Sequence, residues 1–447
     1  MAFEGTIQDF PERGRSREEL LERARQIGWY HTLRLDESLT TPGEFDLEPY
    51  ERYYLPVDDL AGAACLDVGS GSGYWAFALE RRGAGPVTAL DIPDFADTDF
   101  SVLDGRDDQR PKARSAPGSF GEPLRIAATL LGSRVRYRLG SVYQLDPETF
   151  GTFDVVFCGS MLMHLFGPLL ALQRMAAVCR DAFLITTETE PSLEGLSAAQ
   201  YRGHEVPFVH FVPSPTCLAN MLAGCGYERV LRGPTFFLEF RDRLANPMRI
   251  PHTSFVCLKR ADGGRLALPP AAAVEGADMA SAVRLVRAPV QVWPGQPFEV
   301  TVMVENRSGR FWRGDDPRTR IAVDARWEGR RGFTGRGGSE PAAPPVPIAD
   351  YLPPGLATLV TLKLQAPFAE CDARISLRLV QGGREFRADV DQAPITVTRP
   401  LLGRTPGARS DGGPQGRLAR EIARMREFGV GPGFASLVRR GFRRLTR

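Results

Sequence analysis

The stretch ACLDVGSGSGYWAFALERRGAGPVTALDIPD, which begins at Ala64, places three glycines at alternate positions (Gly69, Gly71, Gly73) between an apolar run and a helix-like segment, and a second apolar run closes on Asp91. Strand, glycine turn, helix and strand in so short a span constrain the fold more than any other feature of the chain. A strand that turns directly into a helix needs backbone with positive φ and room for close approach, which glycine supplies. In open α/β sheets such a turn lies at the carboxyl ends of the strands, where ligands bind.

The alternation continues along the chain. Apolar runs at 64–68, 86–91, 134–139, 153–158, 182–187, 228–232 and 253–259 read as strands, and 73–82, 121–131, 168–179 and 215–224 read as helices. This order predicts an α/β class with a doubly wound, Rossmann-like, mostly parallel sheet covered on both faces. Ahead of it, Arg15 to Gln26 reads as a short amphipathic helix, followed by the aromatic, turn-rich segment IGWYHTLRLDESLTTPGEFD. The polar stretch DFADTDFSVLDGRDDQRPKARSAPGSFGE after Ile92 and Pro93 is expected to form a loop over one end of the sheet.

At 447 residues the chain exceeds what one core usually sustains. Beyond the linker-like ADGGRLALPPAAAVEGAD the apolar period becomes two, as in Phe298, Val300, Val302 and Val304 and again in Ile375, Leu377 and Leu379. The expected organisation is a catalytic-type α/β domain at 1–262 with an N-terminal cap at 1–60, a linker at 263–280, an all-β immunoglobulin-like sandwich at 281–398, and a flexible basic tail with an amphipathic helix at 399–447.

The glycine turn also selects its ligand. A dinucleotide site wants G-x-G-x-x-G and a helix N-terminus facing a pyrophosphate, but here Tyr74 stands where that pattern wants glycine. Asp67, just ahead of the first glycine, would repel a phosphate and suits an ammonium group. Asp91, ending the second strand, is placed to accept hydrogen bonds from a ribose diol. Acid, glycine turn and ribose acid together point to S-adenosylmethionine, with Asp67, Gly69, Ser70, Gly71, Gly73 and Asp91 as its binding residues.

On these residues the stretch from Ala64 to Asp91 resembles the cofactor motif of class I S-adenosylmethionine-dependent methyltransferases. FDVVFCGSMLMHLFGPLLAL, LITTETE and VHFVPSPTCLANMLAGCGYERV resemble, in order and spacing, the wobble-uridine tRNA methyltransferases and carboxymethyltransferases and their bacterial relatives, and GWYHTLRLDESLTTPGEFD resembles the cap of those relatives. The resemblance covers 28–260. It implies adenine contacts at Ser141 and Val142, after the third strand. It also implies a Tyr before the motif His and a Lys in the cap where a carboxylated cofactor is used. Here Met163 precedes His164 and the cap reads Trp29, Tyr30, His31, and a thioether cannot donate a hydrogen bond to a carboxylate. Ordinary methyl transfer is therefore expected.

Methyl transfer from a sulfonium requires proximity and orientation, plus a base if the acceptor is a hydroxyl. His164 after the fourth strand, His31 in the cap and Glu188 at the end of the fifth strand are the candidate catalytic residues, with His204 and His210 flanking EVPFV as candidate pocket residues. No metal-ligand spacing is present. In the β half, Trp293, Phe311, Trp312 and Trp327 read either as core or as a sugar-binding platform.

The expected function is methyl transfer to a hydroxyl or similar nucleophile of a small molecule or glycan precursor. A tRNA-modifying enzyme and an inert scaffold tethered at a membrane are the alternatives. A formal net charge of +2 favours no partner, yet from Leu401 to Arg447 there are 11 Arg against 3 acids, a basic end suited to an anionic membrane or nucleic acid. Seven cysteines without a C-x-x-C pair suggest buried free thiols. A polar N-terminus and no apolar run of spanning length suggest a cytoplasmic protein whose tail reaches the inner face of the membrane.

Overall fold

The computed structural model describes residues 7–8, 14–94, 97–99, 121–203, 206, 208–241, 247–260, 264, 266, 268–329, 339–369, 371–382, 384–385, 389–390 and 393–397. The basic tail, most of the polar stretch after Asp91, and His204 lie outside these residues.

In the first half, β1 (Ile7–Gln8) precedes α1 (Arg17–Gln26) and α2 (Glu51–Tyr54). Then come β2 (Cys65–Val68), α3 (Tyr74–Arg81), β3 (Val87–Asp91), α4 (Glu122–Leu131), β4 (Arg136–Leu139), α5 (Pro147–Phe150), β5 (Phe153–Gly159), α6 (Pro168–Val178) and β6 (Cys179–Glu188). A small ribbon of β7 (Ala199–Tyr201) and β8 (Phe211–Pro213) leads to α7 (Pro215–Ala223) and to the hairpin of β9 (Arg229–Arg241) and β10 (Pro247–Leu258). The sheet order is β1-β4-β3-β2-β5-β6-β10-β9, parallel from β4 to β6 and antiparallel at β1, β10 and β9.

Successive residues of the central strands serve two cores. Val155 and Phe157 pack with α1, α3 and α4 on one face, whereas Val156 and Cys158 pack with α6 and α7 on the other. Because both faces are covered, the strands read as continuous apolar runs instead of alternating ones. Ser16 starts α1 through a reciprocal capping box with Glu19, and Arg23 fixes the helix to α4 by a two-pronged ion pair with Glu122 at 2.7 and 2.9 Å.

β1, β7 and β8 are additions to the expected strands, β6 starts earlier, at Cys179, and two strands run well beyond the sequence expectation. The run 228–232 extends to Arg241, and the run 253–259 begins at Pro247. Pro251 lies opposite Phe237 of β9, and although it has no N–H for the ladder its carbonyl accepts from Thr189 N at 2.9 Å.

The second half is β-rich. It comprises β11 (Ser281–Arg287), β12 (Gln291–Val292), β13 (Pro297–Asn306), β14 (Trp312–Arg313), β15 (Ile321–Gly329), β16 (Ser339–Pro341), β17 (Val346–Pro347), β18 (Tyr351–Leu352), β19 (Ala357–Gln365), β20 (Cys371–Gln381), β21 (Arg384–Glu385), β22 (Asp389–Val390) and β23 (Ala393–Val397). Its two main sheets, ordered β19-β13-β11-β22 and β12-β23-β20-β15-β16, contribute to one apolar core that includes Val300, Val302, Val304, Ile375, Leu377 and Leu379. Trp312 and Trp327 are core residues, Phe311 stacks on Tyr351, and Trp293 is exposed, so the four aromatics do not form one platform.

The β-rich half seals the open edge of the first sheet. Asp350 satisfies both backbone groups of Arg232 on edge strand β9: its carboxylate accepts from Arg232 N at 2.8 Å, and its N–H donates to Arg232 O at 2.7 Å. Nearby, Thr358 Oγ1 accepts from Thr235 N at 3.0 Å, and the Tyr53 hydroxyl accepts from Ala357 N at 3.1 Å. Edge strands need such cover because their unpaired groups otherwise template association. All seven cysteines are free thiols, four of them buried.

Candidate active site

The glycine turn forms where β2 meets α3. Gly69, Gly71 and Gly73 have φ of +78°, +53° and +91°. The turn is roofed on two sides: a Cβ at Gly69 would lie 2.7 Å from Met161 Sδ, and one at Gly71 would lie 3.3 Å from His31 Cε1. The cap and the segment after β5 thus both lean on the bare backbone.

Asp67 and Asp91 end up buried at the carboxyl ends of β2 and β3. Asp91 is held by the backbone, its Oδ2 accepting from Gly71 N at 2.7 Å and its Oδ1 from Ile92 N at 2.9 Å. Burial raises its pKa to about 6 against the pull of those donors. Neither oxygen of Asp67 makes a well-formed hydrogen bond, and the Ala76 N–H of α3 draws its pKa down only weakly. Burial, then the charge of Asp91, pushes its pKa up to about 8. One buried carboxylate with orphaned acceptor atoms and a second braced by backbone N–H groups, both beside bare backbone, fit a ligand that brings an ammonium group and hydroxyls.

Ser141 and Val142 lie just past β4, which is tied to the same corner by Gly140 N donating to Asp91 O at 2.9 Å. Ser141 Oγ caps the short turn that follows, and Val142 is buried. Gly69, Ser70, Gly71, Gly73, Asp67, Asp91, Ser141 and Val142 are therefore gathered at the carboxyl ends of three adjacent strands.

The candidate catalytic residues have different surroundings. His31 is buried with Nδ1 unpartnered, and burial lowers its pKa to about 3, so it is neutral at physiological pH. His164 sits after β5 with Nδ1 on the Phe208 carbonyl. A carbonyl only accepts, so Nδ1 carries the proton and Nε2 is the basic nitrogen. Burial also lowers the pKa of His164. Glu188 is engaged by Arg202 at 2.6 Å, and the same guanidinium reaches Glu190 at 3.0 Å. Its pKa is nevertheless raised, burial outweighing the cation.

Two further histidines line this end of the sheet. His210 is fully buried, with Nε2 bonded to Asp99 O at 2.7 Å and Nδ1 unpartnered. His252, to which sequence reasoning assigns no role, is also fully buried and pairs across the sheet with Glu188. Its Nδ1 bonds the Ile250 carbonyl at 3.0 Å, its Nε2 is unpartnered, and burial lowers its pKa to about 4, with a smaller contribution from His164. A histidine next to Pro251 was its only sequence signal. Tyr54, stacked on Trp75 at 4.4 Å, shares a 2.7 Å hydrogen bond with Ser160, whose φ of +53° turns the chain after β5.

The family described as a methyltransferase domain matches residues 66–185. The ubiquinone biosynthesis O-methyltransferase of Xanthomonas euvesicatoria pv. vesicatoria (strain 85-10) is 30% identical over 193 residues, covering 41% of this chain and 70% of that protein. That of Xanthomonas oryzae pv. oryzae (strain PXO99A) is 30% identical over 154 residues, covering 33% of this chain and 54% of its own length. Among solved structures, the N-terminal domain of EvdMO1, in the presence of SAH and D-fucose, aligns with 56% of this chain and 100% of its own at 18% identity and a TM-score of 0.39.

Proposed function

We propose that this chain, which belongs to the class I S-adenosylmethionine-dependent methyltransferases, methylates a hydroxyl or similar nucleophile of a small molecule or glycan precursor. The observation that carries the reading is the pair of buried carboxylates around the glycine turn, one with neither oxygen in a well-formed hydrogen bond. S-adenosylmethionine is the methyl donor of the family, and when bound it supplies a methyl carbon already activated by its sulfonium.

The residues of the chain do the rest. Asp67 receives the ammonium group and Asp91 the ribose hydroxyls, while the Ser141–Val142 turn borders the adenine. His31 and Met161 close over the turn and exclude water. His164 Nε2 accepts the hydroxyl proton, and the Phe208 carbonyl holds the ring in the tautomer this needs. The charges of His164 and His252 oppose one another, so the two rings do not hold protons together. Glu188, tied to Arg202, shapes the wall of the acceptor site. Met163 accepts from Thr187 Oγ1 at 3.6 Å and has no O–H to offer a carboxylated cofactor, which favours ordinary methyl transfer over the tRNA carboxymethyl reaction.

We read the β-rich half as an immunoglobulin-like sandwich, supported by two sheets sharing one core. Calorimetric titration with S-adenosylmethionine, S-adenosylhomocysteine and carboxy-S-adenosylmethionine tests the cofactor assignment. Micromolar binding of the first two, lost in Asp91→Ala, is expected, and preference for the carboxylated form would overturn the assignment. A screen of phenolic and sugar hydroxyls then tests the acceptor.

A further inference from the structure

One end of the β-rich half is apolar and wet. Val290, Trp293 and Phe368 are 82%, 57% and 79% exposed, the most exposed large apolar side chains among the described residues of that half. They come from adjoining segments. Thr396 N donates to Val290 O at 3.1 Å, and Gly295 N, in the turn that Trp293 opens, donates to Pro367 O at 3.0 Å. The Phe368 ring lies against the open face of Gly295, 2.8 Å from where a Cβ would stand.

The turn is fixed: Trp293 N donates to Gln296 Oε1 at 2.9 Å, and Ala366 N donates to Gln296 O at 2.9 Å. An aliphatic side chain, an indole and a phenyl ring held in water on ordered backbone mark an interaction site.

The register of the last strand says what else reaches this end. β12 runs parallel to β23, with Val292 opposite Val397, so the chain leaves its last described strand beside Trp293. The sequence that follows carries 11 Arg against 3 acids between Leu401 and Arg447. In RLAREIARMREF and FASLVRRGFRRL those arginines alternate with apolar residues.

We infer that this end of the β-rich half docks on an anionic lipid bilayer, with Val290, Trp293 and Phe368 entering the headgroup region and the arginine-rich segment meeting the lipid phosphates. Tryptophan favours that boundary because its ring is apolar and its N–H finds a polar partner. An apolar tip and a basic segment together supply the two signals that stable surface binding requires. Nucleic acid would use the arginines but leave Val290, which has no face to stack on a base, in water. The inference does not depend on the identity of the methyl acceptor.

The test is sedimentation of the full chain with phosphatidylcholine vesicles, with and without phosphatidylglycerol, at low and high salt. Binding to the anionic vesicles alone is expected. It should fall about tenfold in the Trp293→Ser, Phe368→Ser double variant and by a similar factor in Arg439→Glu, Arg440→Glu. Brominated lipid should quench wild-type tryptophan fluorescence and leave the double variant's unchanged.

An unaltered circular dichroism spectrum and Tm in each variant show that the exposed substitutions leave the fold intact. Three results would overturn the inference: no sedimentation with anionic vesicles, as when the tail covers the tip itself; vesicle binding indifferent to the tip double variant; or polyuridine binding that outcompetes vesicles.

Discussion

The backbone N–H of Gly71 donates to Oδ2 of Asp91 at 2.7 Å, so the turn that leaves β2 orients the carboxylate that ends β3. The acid is aimed before any ligand arrives. Asp91→Ala removes both that brace and the ribose acceptor, and the affinity for S-adenosylhomocysteine should fall on the order of a hundredfold in a calorimetric titration. Asp91→Asn keeps an acceptor oxygen and should lose less.

Gly71 and Gly73 are predicted to fail in different ways when changed to alanine. At Gly71 the added Cβ meets the His31 ring edge at 3.3 Å and Tyr30 Cδ1 at 3.5 Å, and its φ of +53° costs about 1–2 kcal/mol, so reduced cofactor affinity with a small loss of stability is expected. At Gly73 the Cβ would lie 2.8 Å from Phe77 Cε2 and 3.0 Å from Leu124 Cγ, inside the core. Thermal melts should show the larger drop for Gly73→Ala.

The raised pKa values of Asp67 and Asp91 predict how ligand and pH interact. With no ligand bound, the folded protein holds protons on these acids above the usual carboxylate range, up to about 8 for Asp67. The folded state therefore binds more protons than the unfolded state, and this contribution to stability is lost as pH rises from about 4 through about 8.

A cationic ligand reverses the preference, because it favours the ionised acids. Binding of S-adenosylmethionine at pH 7 should release protons, and the ligand-induced rise in Tm should grow from pH 6 to pH 8. Titrations in buffers of different ionisation enthalpy measure the release. Asp67→Asn should abolish most of it.

His164 and Glu188 differ in what their loss should do. His164→Gln should lower kcat for a hydroxyl acceptor by about 10²–10⁴ while leaving S-adenosylhomocysteine binding unchanged. Glu188→Gln removes one of two carboxylates on Arg202 and should act mainly on KM for the acceptor. Because burial holds His31 near pKa 3, His31→Gln should add no inflection between pH 5 and 9 to the activity profile.

The parts of the molecule that were legible in the sequence were those fixed locally. Cys65 to Asp91 announces strand, turn and strand because its apolar residues are buried on both faces and its glycines occupy positive φ. The full length of the β9–β10 hairpin was hidden, since Gly233 packs against Tyr351 of the other half and only that neighbour explains a glycine there. The role of Asp350 could not be read from local pattern, because its partner Arg232 is 118 residues away. His252 lies in a strand with no motif, and the neighbours that set its character are supplied by β6, β9 and α2.

Asp350 completes β9 as another strand would, and it belongs to the half of the chain that carries no candidate catalytic residue. A cut between the halves would not yield an independent enzyme and a spare module. It would uncover a strand that seeks a partner, and the nearest partner in a concentrated solution is the same strand on another molecule. Loss of turnover after such a cut would therefore report an uncovered strand and a core opened at Tyr351, with no catalytic group removed.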